Sequence, residues 1–333
     1  MQHHDLAVTA PATGEEPFAI SLVVPLMNEE DNVGPLIDRI VEAMKGVAGG
    51  WELILVDDGS TDATLARARD HIGREGLVLS IIEFQRNFGQ TAAMQAGIDA
   101  ARGRLIATMD GDLQNDPKDI AAMVAELERR ELDLLVGWRK DRQDGFLLRR
   151  LPSLIANRLI GRITGVRLHD YGCSMKIYRA SVIKQVQLMG EMHRFIPAWV
   201  ASVAPNYRIG ETVVTHHARQ FGQSKYGISR TIRVILDLIA ILFFMRFRQR
   251  PGHFFGAIGL LLGAFSSVIL LYLAWVKIAL GEDIGTRPLL LIGVMLLLAS
   301  VQMLTTGILA EMLARTAERP QSYLVRAVHG DHG

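Results

Sequence analysis

The chain has one cysteine, Cys173, in 333 residues. That excludes an intrachain disulfide and any zinc site built on several thiolates. Net charge is almost absent, +1 at pH 7, so nothing in the charge balance points to nucleic acid. The N-terminal stretch MQHHDLAVTAPATGEEP, residues 1–17, lacks the apolar run of a secretory signal and reads as a disordered tail. No G-x-G-x-x-G follows the first apolar strand, and no G-x-x-x-x-G-K-[ST] occurs anywhere. The usual dinucleotide and P-loop cradles are therefore missing. A nucleotide bound here must have its phosphates held by other means.

Apolar residues, by contrast, are abundant. They make up 49% of the chain, the mean hydropathy is +0.20, and the excess lies late in the sequence. Residues 254–276 and 288–310 contain no charged side chain. Each stretch is long enough to cross about 30 Å of hydrocarbon as a helix. Arg246, Arg248 and Arg250 precede the first, and Arg315, Arg319 and Arg326 follow the second. The positive-inside bias predicts that both chain ends face the cytoplasm. With only a short connection outside, the two spans read as an anchor. Gly256, Gly259 and Gly263 would permit close helix contact, within the chain or in a homo-oligomer.

Residues 20–138 alternate short apolar runs with amphipathic stretches. Strands are predicted at 20–26, 52–57, 77–84, 104–109 and 132–138, and helices near 31–46, 61–75, 89–101 and 117–130. Continuous apolar strands alternating with helices indicate an α/β fold with a mostly parallel sheet covered on both faces. Ligands of such sheets sit beyond the carboxyl ends of the strands. Polar residues gather there: Asn28, Glu29 and Glu30 after the first strand, Asp57-Asp58-Gly59-Ser60-Thr61-Asp62 after the second, and Asp110-Gly111-Asp112-Leu113-Gln114 after the fourth. Arg139 closes the fifth. Ser60 or Thr61 is expected to cap the following helix.

Asp110 and Asp112 cannot hold phosphates directly, because like charges repel. A divalent cation removes the conflict. Mg²⁺ or Mn²⁺ prefers oxygen ligands and takes one or two carboxylates together with substrate phosphates. The Asp-Gly-Asp turn thus reads as a holder for a metal that holds a diphosphate. Gly111 would allow close approach, and Gln114 would add a carbonyl oxygen.

The motifs VVPLMNEE, LVDDGSTD and MDGDLQNDP together resemble family 2 glycosyltransferases of the GT-A fold. RNFGQTAAMQAGIDAARG, DYGCSMKIYR, EMHRFIP and HHARQFGQSKYG extend the resemblance to the polyprenyl-phosphate glycosyltransferases, such as the dolichol-phosphate mannose synthases and bacterial enzymes acting on undecaprenyl phosphate. The likeness covers about residues 18–250. It implies that Pro25, Met27, Glu29 and Asp57 line the base and ribose pocket, although Met27 stands where the family often has Tyr. Asp110 would face nucleotide and metal, Asp112 and Gln114 would be metal ligands, and Arg139 would contact the diphosphate or sugar. Arg149, Ser153, Arg219 and Lys225 would approach the acceptor phosphate. The implied organisation is a GT-A domain over 18–225, an interfacial region over 226–250, two transmembrane helices over 251–312 and a cytoplasmic tail over 313–333.

The residues themselves support a lipid acceptor. Residues 149–163 place Leu151, Leu154, Ile155, Leu159 and Ile163 near one helical face, with Arg158 and Arg162 on another. That is the pattern of a helix lying in a membrane interface. Residues 234–245 are apolar but too short to span. Arg219 and Lys225 lie between these segments and suit a phosphate. His216 and His217 are adjacent, which argues against a shared metal site, and Cys173 reads as core. The predicted reaction is sugar transfer from a nucleotide sugar to a polyprenyl phosphate. Such a phosphate is already ionised, so Glu191 is expected to shape the site rather than move a proton. The alternative, a hydroxyl acceptor in glycolipid or polysaccharide synthesis, would need a base.

Overall fold

The computed structural model describes residues 18–140, 160–162, 164–188, 192–218, 247, 251–316 and 325–330. It falls into two units, one of residues 1–238 with 321–333 and one of residues 239–320.

The first unit is built on one eight-stranded sheet. Its strands are β1 (Phe18–Leu26), β2 (Trp51–Asp57), β3 (Leu79–Phe84), β4 (Gly103–Thr108), β5 (Leu134–Trp138), β6 (Lys176–Arg179), β7 (Ile209–Val213) and β8 (Val325–Gly330), in the spatial order β7-β5-β6-β4-β1-β2-β3-β8. β1 pairs in parallel with β2 and β4, β2 with β3, and β5 with β7. β6 runs antiparallel between β4 and β5, and β8 runs antiparallel along β3. The sheet is therefore mostly parallel, as the apolar runs predict. Val23, Val24, Leu53, Leu55, Ile81 and Leu135 are fully buried. Each such side chain stabilises the fold by roughly 1.5–3 kcal/mol.

The predicted helices appear as α1 (Glu30–Met44), α2 (Thr64–Arg69), α3 (Gln90–Ala100) and α4 (Asp119–Arg129). α1 buries Val33, Leu36, Ile37, Ile40 and Met44 at helical spacing. α2 is shorter than the predicted 61–75. Neither Ser60 nor Thr61 caps it: the helix begins at Thr64, whose N–H donates to Asp62 Oδ1 at 3.0 Å. The Ser60 hydroxyl instead accepts the Asn28 N–H at 2.9 Å. Two short helices follow, α5 (Ala180–Ile183) and α6 (Ile196–Val200).

The second unit contains α7 (Pro251–Ala279) and α8 (Pro288–Thr316), each of 29 residues. At 1.5 Å per residue each runs to about 40 Å, longer than a hydrocarbon core. Only 11% of the most apolar window of each is buried, so they are not the core helices of a soluble domain. Their exposed Leu260, Phe265, Trp275, Leu291 and Leu309 suit lipid. This is a membrane protein. Ser266 Oγ donates to Gly293 O at 2.8 Å and Ser300 Oγ to Gly259 O at 2.7 Å, joining the pair. A Cβ on Gly259 would stand 2.8 Å from Leu304, and one on Gly263 2.8 Å from Ser300, so both glycines serve this packing. One on Gly256 would meet nothing within 4 Å.

Candidate active site

Six of the eight strands run the same way, which brings the carboxyl ends of β1, β2, β4 and β5 to one rim of the sheet. Because β6 is antiparallel to β4 and β5, the residues leading into it reach that same rim. Lys176 pairs in register with Thr108 of β4 and Val136 of β5. A four-residue strand thus delivers the 170–176 segment to the place where β4 and β5 end.

At the β1 and β2 ends, Pro25 pairs with Val56 inside the sheet, and Met27 and Glu29 follow half-buried. Asn28 adopts φ 56°, a left-handed turn suited to its short polar side chain. Its Oδ1 accepts the Thr61 N–H at 2.8 Å, while the Glu29 N–H donates to Thr64 Oγ1 at 2.8 Å. The two motif loops are thereby laced together. Asp57 is buried. Its Oδ2 accepts the Ser60 N–H at 3.2 Å, but its buried Oδ1 has no hydrogen-bond partner among the described residues. A buried acceptor left unpaired costs about 1–3 kcal/mol, so Asp57 Oδ1 suits a donor N–H from a ligand. Burial pushes its carboxyl above the usual range.

Asp58 plays a different part. Its carboxylate accepts the backbone N–H of Phe88 at 2.7 Å and of Gly89 at 3.0 Å, and the Asn87 amide at 3.0 Å. It therefore sets the loop before α3. The next residue, Gln90, donates to Asp110 Oδ1 at 2.7 Å. This chain of contacts links the β2 end to the β4 end.

Asp110 is half-buried and Asp112 is buried. Desolvation, then the neighbouring Asp112 charge, push the Asp110 carboxyl above its usual range. Gly111 packs tightly against the end of β1: a Cβ there would stand 2.5 Å from Leu26 Cδ2. The Gln114 N–H donates to Asp112 Oδ1 at 3.2 Å, and Gln114 Nε2 lies 3.5 Å from His217 O, which leaves the amide oxygen as its remaining polar atom. Among the described residues no three His, Cys, Asp or Glu side chains converge. The oxygen donors present, two carboxylates and one amide, are of the kind that a hard divalent cation accepts.

Arg139 meets Asp170 in a two-pronged ion pair, Nε to Oδ2 at 2.7 Å and Nη2 to Oδ1 at 3.1 Å. Lys176 is fully buried and donates to the Cys173 carbonyl. Burial pushes its ammonium below the usual range. Cys173 is core, as its lone occurrence suggests. Thr108 Oγ1 donates to Ser174 O at 2.9 Å and Ser174 Oγ to Asn115 Oδ1 at 3.0 Å, fastening this segment to β4 and the acidic loop.

Sequence reasoning gave Asp58 no role of its own and did not single out Gln90, Asp170 or Lys176, although all four lie inside the motifs quoted above. For His216 and His217 it argued only against a shared metal site, which the structure does not contradict. Asn115 and His216 form a β-bridge, and the His217 N–H donates to Gln114 O at 2.8 Å. His217 Nε2 lies 3.2 Å from Asp116 Oδ2. The histidine segment thus runs along the acidic loop. Arg149, Ser153, Arg219, Lys225 and Glu191 lie outside the described residues, as do nearly all of residues 149–163 and all of 234–245.

Comparison with known proteins places these motifs among others. The family model described as Glycosyl transferase family 2 matches residues 21–187. The dodecaprenyl-phosphate galacturonate synthase of Rhizobium johnstonii is 71% identical over 315 residues, covering 94% of this chain and 93% of its own length. An undecaprenyl-phosphate 4-deoxy-4-formamido-L-arabinose transferase of Edwardsiella ictaluri is 34% identical, covering 94% of this chain and 95% of its own. Among solved structures, the glucosyl-3-phosphoglycerate synthase of Mycobacterium tuberculosis with phosphoglyceric acid has a TM-score of 0.54 at 20% identity, covering 70% of this chain and 86% of that one. The same enzyme with Mn²⁺ and UDP has a TM-score of 0.53 at 18% identity, covering 68% and 78%. At that identity the likeness is one of fold.

Proposed function

Because the chain belongs to glycosyl transferase family 2, and within it to the polyprenyl-phosphate glycosyltransferases, we propose that it moves a sugar from a nucleoside diphosphate to a polyprenyl phosphate at a membrane face. The observation that carries this reading is the Asp110, Asp112 and Gln114 donor set at the carboxyl end of β4, beside an Arg–Asp fork. The 71% identity to a galacturonate synthase favours galacturonate as the sugar, and UDP-galacturonic acid is the first donor to test.

In this reading Asp57 Oδ1 takes an N–H of the base, with Pro25, Met27 and Glu29 around base and ribose. Asp110, Asp112 and Gln114 would hold Mg²⁺ or Mn²⁺, which supplies charge neutralisation for the leaving diphosphate. Arg139 offers the remaining N–H groups of its guanidinium to the same oxygens. Arg149, Ser153, Arg219 and Lys225 hold the acceptor phosphate. One acceptor oxygen forms the bond to the anomeric carbon as the bond to the donor's β-phosphate oxygen breaks. The nucleoside diphosphate leaves with the electron pair, and the anomeric centre inverts. No general base is required, because a phosphate monoester with a second pKa of about 6 is already ionised at pH 7.

A donor screen tests this. Purified chain in detergent receives polyprenyl phosphate, Mg²⁺ or Mn²⁺, and a panel of UDP- and GDP-sugars. Lipid-dependent release of nucleoside diphosphate with UDP-galacturonic acid is expected, falling at least a hundredfold in Asp112→Ala, as removal of a charge-stabilising group does (roughly 10²–10³). Release that is independent of lipid, or that survives in Asp112→Ala, would overturn the reading.

A further inference from the structure

The end of β5 and the loop before β6 meet in two adjacent rungs. Trp138 stacks on His169, with ring centroids 4.3 Å apart and planes 16° apart. The next residue on each side forms the Arg139–Asp170 fork. Both rungs are tied from behind. The His169 N–H donates to Glu211 Oε2 at 2.7 Å, and its Nδ1 lies 2.5 Å from Glu211 Oε1. Asp170 Oδ1 also accepts the Gly172 N–H at 3.1 Å. The carboxylate is therefore fixed by its own loop before it meets the guanidinium. Both members of the fork are shielded, with side-chain exposures of 13% and 10%.

A shielded pair of this kind adds little to stability, because desolvation offsets much of the attraction. Orientation is what a two-pronged contact adds. Of a guanidinium's five N–H groups the fork engages two, so the rest are held in one plane. Arg139 also feels the Asp110 carboxylate. An arginine free to rotate would be drawn onto Asp110 and Asp112 and would compete with a cation for them. Held by Asp170, it lies near enough to Asp110 to feel its charge while its two engaged N–H groups go to Asp170.

We infer that Asp170 is the positioning residue for Arg139: it aims the guanidinium at the donor diphosphate and keeps it off the Asp110–Asp112 pair. This rests on the proposed role of Arg139. Asp170 touches no reacting atom and acts only through the arginine.

A double-mutant cycle tests this in the full-length protein, using UDP-galacturonic acid or whichever donor the screen identifies. Asp170→Asn is expected to lower kcat about tenfold or more, with a much smaller change in donor KM, since leaving-group stabilisation operates in the transition state. It should also raise the Mn²⁺ concentration needed for half-maximal rate, and Asp170→Glu should recover part of the loss. In an Arg139→Ala background Asp170→Asn should add less than about twofold, because the two residues act as one unit. Thermal unfolding of each variant separates loss of activity from loss of fold. If Arg139→Ala alone leaves the rate unchanged while wild type transfers sugar, the arginine's role fails and this inference fails with it. If Arg139→Ala is impaired but Asp170→Asn multiplies the loss in both backgrounds equally, the positioning role alone is overturned. An unchanged kcat in Asp170→Asn overturns it as well.

Discussion

Asp110 sits where charge is hardest to keep. Burial and then the neighbouring Asp112 charge raise its pKa above that of a free aspartate, so it gives up its proton less readily. A metal needs the ionised form. We therefore expect Mn²⁺ affinity of the nucleotide-free protein to weaken as pH falls, and to begin weakening at a higher pH than a free aspartate would dictate, with binding releasing a proton. Calorimetry in two buffers of different ionisation enthalpy measures both. An affinity that does not change with pH would sink the assignment. The sign for stability is opposite to the usual carboxylate. Because the folded pKa is raised, the metal-free fold gains from this group as pH falls through that value, and the gain levels off below the unfolded pKa. Asp57 and Asp58 shift the same way, with burial as the leading cause. At this scale residue type alone suggested a cation site at Asp110, Asp112 and Gln114, and the structure puts that loop directly after β4. The sequence was silent on Asp170 and Lys176, whose meaning comes from partners distant in the chain.

Among the elements, β2 shows how a buried charge is made tolerable. Glu52 is 1% exposed. Its carboxylate accepts Ser21 Oγ at 2.6 Å, the Arg102 N–H at 2.8 Å and Arg102 Nε at 3.0 Å. It joins β1, β2 and the turn into β4 far from the candidate site. Glu52→Ala would strand those donors, and we expect a loss of about 3 kcal/mol or more, read as a shifted denaturant midpoint of the detergent-solubilised chain. A change under about 0.5 kcal/mol would show that the network carries no weight. The five strands predicted from apolar runs are all present with small boundary shifts. β6, β7 and β8 were not predicted. Lys-Ile-Tyr-Arg and Ile-Gly-Glu-Thr-Val are too short for a pattern to register, and their pairing is decided by neighbours far off in sequence.

For the whole molecule, β8 has the largest consequence. Residues 313–333 were expected to be a tail, yet Val325–Gly330 pairs antiparallel with β3. His329 Nε2 lies 3.3 Å from Glu83 Oε2, which also accepts Arg69 Nη2 at 2.8 Å. Val325–Gly330 and β3 therefore share one side of any membrane that α7 and α8 cross, which an even number of crossings satisfies. We expect Glu282→Cys, in the loop between the spans, to react with an impermeant maleimide in intact spheroplasts. Tyr207→Cys, at an exposed position of the sheet-bearing unit, should react only after permeabilisation. Cys173 is buried and contributes little background. Labelling of both positions from the same side would overturn the two-crossing topology.

The sequence by itself determined the class of sheet, the two apolar spans and the acidic loop that ends β4. Each is a local property, carried by hydrophobic period, run length or residue type at a strand end. Tertiary structure alone decided that β6 enters antiparallel and brings Asp170 and Lys176 to the rim. It also decided that the His216–His217 segment runs beside Gln114, and that the C-terminal residues complete the sheet. Those outcomes depend on contacts between segments from about thirty to about 250 residues apart. Loop-closure entropy opposes each such contact, and only the burial gained when the whole sheet assembles offsets it.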